Sequence, residues 1–366
     1  MYKRLNKLMA TRYGFPCVSI ILPTQRSFPD KTQALLRAKD SLKIVAEKLA
    51  HIPHAEHVIR RLHQVMDSYD FTVIQDALIF LAHESEAIGF ATFGACDETV
   101  SVGSEFALNE LYALLQEEVS YWVLILGKED ARLCRATNDM WTEIITPEFD
   151  EQGNPLQGFP LNFLRPEDKN VQSVGRGYLD ARYRDHHERT FFEFIDRELY
   201  KLVEKESLPV VLCADAKAGE MMQHASKHRF VQHVVYDGIS QRILEIVPHV
   251  WPRIKKAYQE HHEQFVSELE KAKNTNHVAA GLQRVWEVML EGRVKRLFVE
   301  RGARVIGRID PANQRHLQVF DREEVGVTDN LIDLLIAATV RHNGEITVVP
   351  RGMLQQFDGV AALLRY

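Results

Sequence analysis

Runs of apolar residues separated by turn formers divide the chain into short strands and amphipathic helices. Val18-Ser19-Ile20-Ile21-Leu22 is a β-rich run closed by Pro23-Thr24, which predicts a buried strand. Over residues 31–50, Leu35, Leu36, Leu42, Val45, Ala46 and Leu49 recur at helical spacing, with Lys and Arg on the other face. A second helix is expected over 54–66, strands over 77–82 and 87–93, and a closing helix near 110–118. Further on, Tyr121-Trp122-Val123-Leu124-Ile125-Leu126 and Ala131-Arg132-Leu133-Cys134-Arg135-Ala136 read as two strands of a hairpin about a charged turn. A loop rich in Gly, Pro, Asn and Gln runs from 147 to 177, well beyond the usual connection length. Phe191, Ile195, Leu199 and Leu202 then give the apolar stripe of a helix over 180–206, followed by a buried strand at 209–214 and a short helix at 217–227.

The last third carries a helical stretch over 240–273, expected to break near Pro248 and Pro252, and a further helix over 278–291. Strands are expected at 294–300 and 303–309 about Arg301-Gly302. Thr328 is placed to cap a helix bearing Leu331, Leu334, Leu335 and Ala338, which ends near Asn343-Gly344. Strands at 345–349 and 360–364 close the chain, and no internal repeat interrupts the pattern. Alternation of strand and helix calls for layered α/β structure, in three consecutive α/β domains over 1–115, 116–239 and 240–366.

Composition narrows the class. The chain has 366 residues, 45% of them hydrophobic, enough for several cores. It holds no apolar run of about 18 residues that would cross a membrane, and residues 1–9 lack the apolar centre of a secretory signal. Cys17, Cys96, Cys134 and Cys213 are widely spaced and form no CxxC unit, so buried free thiols in a reducing cytoplasm are expected.

The net charge of −6 hides strong segregation. Residues 1–48 carry ten Lys or Arg against three acids, residues 97–118 carry six acids and no base, and residues 290–308 carry six bases against two acids. Basic faces of this kind suit RNA phosphates, and ordinary solvated surface is the alternative. The basic segment with the most distinctive chemistry is Val174-Gly175-Arg176-Gly177-Tyr178-Leu179-Asp180-Ala181-Arg182-Tyr183-Arg184, a glycine-bearing loop that leads into a helix. Arginine supplies a planar fork for phosphate and a flat face for stacking.

Other motifs carry less. His51, His54 and His57, and His224 and His228, have helical spacing but no convincing third ligand. His186-His187-Glu188 and His261-His262-Glu263 do not make the HExxH arrangement. Neither a GxxxxGK[ST] loop nor a GxSxG elbow is present, so neither an NTPase nor a hydrolase with that elbow is expected, and no cofactor is called for.

The order of elements around Gly175-Arg176-Gly177-Tyr178 resembles the middle domain of the archaeal-eukaryotic class I release factors and their relative Pelota. The third domain adds Arg284-Val285-Trp286-Glu287, Leu290-Glu291-Gly292-Arg293-Val294 and Leu297-Phe298-Val299. It also adds the ending Asn343-Gly344-Glu345-Ile346 with Gly359-Val360-Ala361-Ala362-Leu363-Leu364-Arg365-Tyr366, which looks like that of bacterial relatives of the family. The resemblance spans nearly the whole chain in three-domain order. It implies a loop that reaches the ribosomal peptidyl-transferase centre, where releasing members carry Gly-Gly-Gln. This sequence has no Gly-Gly pair, and it lacks the Asn-Ile-Lys-Ser signature of stop-codon reading.

The resemblance therefore implies a cytoplasmic, non-catalytic ribosome-binding factor that occupies the A site without peptide release, of the hibernation type, with EF-Tu or a related translational GTPase as partner. A rescue or peptidyl-tRNA hydrolase-type factor with an atypical loop, and a stress-related interaction module, are the alternatives. Candidate RNA contacts are Gly175, Arg176, Gly177, Tyr178, Arg182 and Arg184 in the loop segment, Arg26, Lys31 and Arg37 in the first domain, and Arg293, Lys295 and Arg296 in the third. Glu105, Glu110, Glu117 and Glu118 form either a steering surface for the GTPase or a plain hydrophilic edge.

Overall fold

The first apolar run forms β1 (Cys17–Pro23). The computed structural model describes the chain outside residues 1–10, 12–13, 27–30, 54, 73–74, 128–129, 146–147, 150–154, 158, 163–180, 228–229, 231, 236–242 and 273–276. With β2 (Ala77–Ala82), β3 (Ala87–Thr92) and β4 (Thr99–Gly103), β1 makes an antiparallel sheet of order β3-β2-β1-β4. The two central strands are covered on both faces, and the two-residue period of a strand sorts their side chains cleanly. Val18, Ile20, Leu22, Leu78 and Phe80 meet the helices α1 (Lys31–Leu49) and α2 (Ala55–Ser68). Cys17, Ile21, Ile79 and Leu81 face a second core, which includes α3 (Leu108–Glu117) and residues from the C-terminal third of the chain.

Val119–Glu260 folds as a unit of its own. Its hairpin is β5 (Ser120–Leu126) and β6 (Asp130–Thr137), with β7 (Met140–Glu143) added to β6. The expected long loop contains a small ladder, β8 (Glu148–Phe149) with β9 (Pro155–Gln157), and then β10 (Leu161–Asn162), which pairs with β6. Next come α4 (Ala181–Lys205), β11 (Val210–Ala214), α5 (Ala216–Ala225) and β12 (Gln232–Val235). The sheet order is β10-β6-β5-β11-β12, with β11 parallel to both β5 and β12.

The helix expected to break at its prolines does not. It is continuous as α6 (Ile243–Ala272), with Pro248 and Pro252 inside it. Each interior proline costs about 3 kcal/mol in helix propensity. Against that cost, Ile246, Val250 and Ile254 are buried with Val123, Ile125 and Val211 of the sheet, and the Trp251 ring stacks on Tyr121 at 6.4 Å. Tertiary burial wins over local propensity here.

The C-terminal third departs from expectation in three places. Residues 278–291 are not one helix but a short strand, β13 (Val278–Ala280), and then α7 (Leu282–Leu290), with Gly281 at φ 77° between them. A left-handed residue at that junction suits glycine and stops a helix from running through. β14 (Val294–Glu300) and β15 (Ile306–Ile309) do not pair as neighbours across Arg301-Gly302. β15 instead forms a three-stranded sheet with β16 (Leu317–Val319) and β17 (Asp329–Asn330), while β14 lies between later strands. Finally, Asn330, not Thr328, caps α8 (Leu331–Arg341): its Oδ1 accepts from Ile332 N, and Thr328 is engaged with Glu324. The helix ends at Arg341, close to Asn343-Gly344 as the sequence suggested; Asn343 takes φ 57°, and Gly344 N donates to Thr339 O. β18 (Glu345–Val349) and β19 (Val360–Leu364) complete a sheet of order β13-β19-β14-β18.

The Asn330 side chain also accepts from Val305 N at 3.1 Å, so one amide oxygen serves two backbone donors. Asn330→Ala should lower the unfolding free energy by about 1–2 kcal/mol, read from a urea titration. In the folded chain, residues 1–118 and 261–366 make one compact unit and Val119–Glu260 the other.

Candidate nucleic-acid interface

The elements on either side of the segment that carries the candidate chemistry share one core. Before the segment, Phe159 and Leu161 are buried beside β6; after it, Phe192, Ile195 and Leu199 of α4 are buried in the same cluster. Because β10 pairs at Ala131 and β5 meets β6 there through Leu126, β10 ends level with the C-terminal end of β5. That end is where α4 begins its return to the parallel strand β11. Gly175, Arg176, Gly177 and Tyr178 lie outside the described residues. Arg182 and Arg184 lie at the start of α4, and their side chains are likewise outside the described set. The first turn of this 25-residue helix carries no acid, so nothing within that turn offsets the partial positive charge of the helix dipole.

The first-domain residues behave differently from one another. Arg26 Nε donates to Asp76 Oδ1 at 2.6 Å, and its guanidinium lies over the Phe93 ring at 5.2 Å, so it clamps the end of β1 to that of β2. Arg37 is half-buried and reaches Pro23 O at 3.3 Å. Lys31 is exposed at the start of α1. Along the same two helices Lys39, Lys43, Arg60 and Arg61 are exposed or half-exposed, residues the sequence reading passed over although their helical spacing was legible.

In the C-terminal set, Arg293 is tied to Tyr366 O at 2.9 Å and lies over the Tyr366 ring, and Arg296 pairs with Glu345 and covers the Phe265 ring at 3.8 Å. Lys295 is exposed. Arginines so engaged give up packing and hydrogen bonds if they turn to an RNA phosphate, whereas the lysines do not.

Three of the four acidic candidates are engaged inside the protein. Glu105 forms an ion pair with Arg341 at 2.7 Å and is 8% exposed at its side chain. Glu117 pairs with Arg301, which also donates to Ala95 O. Glu118 accepts from Thr92 Oγ1 at 2.7 Å. Burial raises the Glu110 carboxyl above its ordinary value, with Arg301 opposing the rise. Backbone contacts extend the same joint, since Gln116 donates to Ile346 O and accepts from Val348 N. Asp329 accepts from Ser104 N and Oγ, at 2.6 and 2.8 Å. The excess acid of 97–118 and excess base of the C-terminal third thus partly neutralise each other inside one unit.

Cys17, Cys134 and Cys213 are buried free thiols, and burial pushes Cys134 and Cys213 up to about 12, which removes them as nucleophiles near neutral pH. Among the described residues no three His, Cys, Asp or Glu converge on a metal position. No described helix is long and apolar enough to cross a membrane.

Residues 120–293 match the family described as bacterial archaeo-eukaryotic release factor family 3. No curated protein matches the chain. Among solved structures, the archaeal Pelota of a ribosome-bound model with ABCE1 is 15% identical over 67% of this chain and 61% of that one, at a TM-score of 0.40. Dom34 of S. cerevisiae, a translation termination-like factor involved in RNA quality control, is 13% identical over 79% of this chain and 74% of its own, also at 0.40. The archaeal translation termination factor aRF1 is 14% identical over 100% of this chain and 97% of its own, at 0.23.

Proposed function

We propose that this chain is a ribosome-binding translation factor that occupies the A site without releasing peptide, a reading supported by the match of residues 120–293 to the bacterial archaeo-eukaryotic release factor family 3. In this reading it is a hibernation factor similar to Balon and acts with EF-Tu. The observation that carries the reading is that the elements flanking residues 163–180 share one buried core, while the sequence between them bears Gly175-Arg176-Gly177 where releasing relatives have Gly-Gly-Gln. Release requires a group that holds water against the ester carbonyl, and a small tip that lets it approach. Arg176 and Tyr178 bring neither the amide nor the small size. They bring charge and a stacking ring, which bind RNA rather than hydrolyse an ester.

Ribosome affinity should fall as salt rises, because phosphate contacts release counterions. Arg176→Ala with Arg182→Ala should weaken co-sedimentation roughly tenfold or more and flatten the salt slope by about 1–2. A binding isotherm unchanged by salt and by both substitutions would remove the phosphate contacts. The EF-Tu partnership is read by pull-down with ribosomes present, under GDP and under a GTP analogue; failure in both removes it. In a release assay on ribosomes loaded with peptidyl-tRNA, the chain should add nothing to the background. Release that is lost on changing Arg176 would instead establish a rescue factor with an atypical loop.

A further inference from the structure

Between α7, α8 and the turn from β15 to β16 lies a cavity of about 570 Å³, contained entirely in the unit built from the two ends of the chain. Much of its wall is apolar. Trp286 and Met289 are buried in that wall, Ile309, Leu334 and Ala338 are partly buried, and Leu290 stands 38% exposed. Three acids, Glu105, Asp310 and Asp329, line the cavity against two arginines, Arg308 and Arg341. Both arginines are engaged inside the protein: Arg341 with Glu105, and Arg308 with Gln318 at 2.8 Å and over the Phe320 ring.

The chain ahead of β1 comes to the rim of this cavity. Gly14 lines it, and Arg341, also in the lining, donates from Nη2 to Thr11 O at 3.3 Å. Residues 1–10, which lie outside the described set, therefore join the described chain beside an apolar hollow. One residue spans at most about 3.5 Å of chain, so Met9 and Leu8 lie within roughly 7–10 Å of Thr11 whatever path the backbone takes.

The sequence of that segment complements the hollow. At 3.6 residues per turn, Met1, Tyr2, Leu5, Leu8 and Met9 fall within about 120° of one another, and Lys3, Arg4 and Lys7 fall outside that arc. An amphipathic helix lays a face of this kind into an apolar groove. The segment holds three bases and no acid, while the lining holds three acids against two arginines, so the two carry opposite net charge. A helix this short is marginal on its own in water, so its order depends on the wall that it meets.

We propose that residues 1–10 of this chain occupy the cavity as an amphipathic helix, with Leu5, Leu8 and Met9 against its apolar wall and Lys3, Arg4 and Lys7 toward solvent and the acidic rim. Docked in this way, the segment covers Leu290 and adds positive charge to the surface of this unit. The site belongs to a different unit from residues 163–180, so it stands or falls without the ribosome-binding reading.

The test is hydrogen–deuterium exchange of the full chain, at a low and a high protein concentration and with no ribosome present. Amides of residues 5–9 should exchange at least about tenfold more slowly than in a free peptide of residues 1–10, and equally at both concentrations. Leu5→Ser with Leu8→Ser, which touches no described residue, should return them to the peptide rate while circular dichroism stays native-like. Ala338→Trp, which fills the cavity from α8, should do the same to residues 5–9. Exchange at the peptide rate in the parent, or protection that either variant keeps in full, would overturn the proposal. So would protection seen only at the high concentration, where the segment enters a second copy, or only with anionic phospholipid vesicles.

Discussion

Replacing Arg341 with Ala is expected to lower the unfolding free energy by about 1–3 kcal/mol, the cost of taking a charged partner from a largely buried group. Arg341 Nη2 reaches both carboxylate oxygens of Glu105, at 2.7 and 2.8 Å, and Thr11 O at 3.3 Å. Glu105 sits at the entry to α3, where its side chain is 8% exposed, so solvent does little to replace the lost guanidinium. The cost comes chiefly from the carboxylate left behind. Adding Glu105→Gln to Arg341→Ala should therefore recover part of the loss, and the double-mutant cycle should show coupling of at least about 1 kcal/mol. Urea titration of the four proteins measures it. Additive losses, or a single-variant loss below about 1 kcal/mol, would mean that the pair is solvated in practice.

One buried acid should contribute a loss of stability as pH rises from about 4 to 7. Asp333 is 6% exposed and accepts from Asn109 N and Asn330 Nδ2, each at 2.8 Å. Burial pushes its carboxyl from the ordinary 3.8 up to about 7; the two hydrogen bonds and Arg304 oppose the rise, and Glu110 adds to it. The folded state then holds this proton over a range in which the unfolded chain has lost it. The folded state is favoured most below the unfolded value, loses that advantage as pH climbs to about 7, and loses no more above it. Asp333→Asn removes the titration while keeping one acceptor, so its melting temperature should fall less between pH 5 and 8 than that of the parent. The comparison is of slopes, because the new amide faces the Asn330 donor and lowers stability at every pH. Parallel curves for the two proteins would place the titration elsewhere.

How far the sequence carried depends on whether a feature was local. β1, β2, the β5–β6 hairpin, α1 and α8 were legible because their apolar periods are strong and their partners are near in sequence or interchangeable. β4 was hidden: Thr99-Val100-Ser101-Val102-Gly103 follows Asp97-Glu98, and the acidic context reads as surface. Its place beside β1 is set by pairing with a strand some eighty residues away, which no window of ten residues contains. The same holds for charge. Acidic 97–118 and basic 290–308 were both visible, yet Glu117 meets Arg301 across 184 positions and Glu105 meets Arg341 across 236. A count of charges per segment cannot tell a face offered to a partner from one half of an internal pair. The basic candidates divided for that reason, with Arg26, Arg293 and Arg296 engaged inside the protein and Lys31 and Lys295 left at the surface.

The measurement that bears most directly on the central claim is a cryo-electron microscopy map of the chain bound to a ribosome. The proposed function predicts density for the chain in the A site, with residues 163–180 in the peptidyl-transferase region and Arg176 and Arg182 against ribosomal RNA phosphates. A map with the chain outside the A site, or with that segment directed away from the peptidyl-transferase centre, would contradict it.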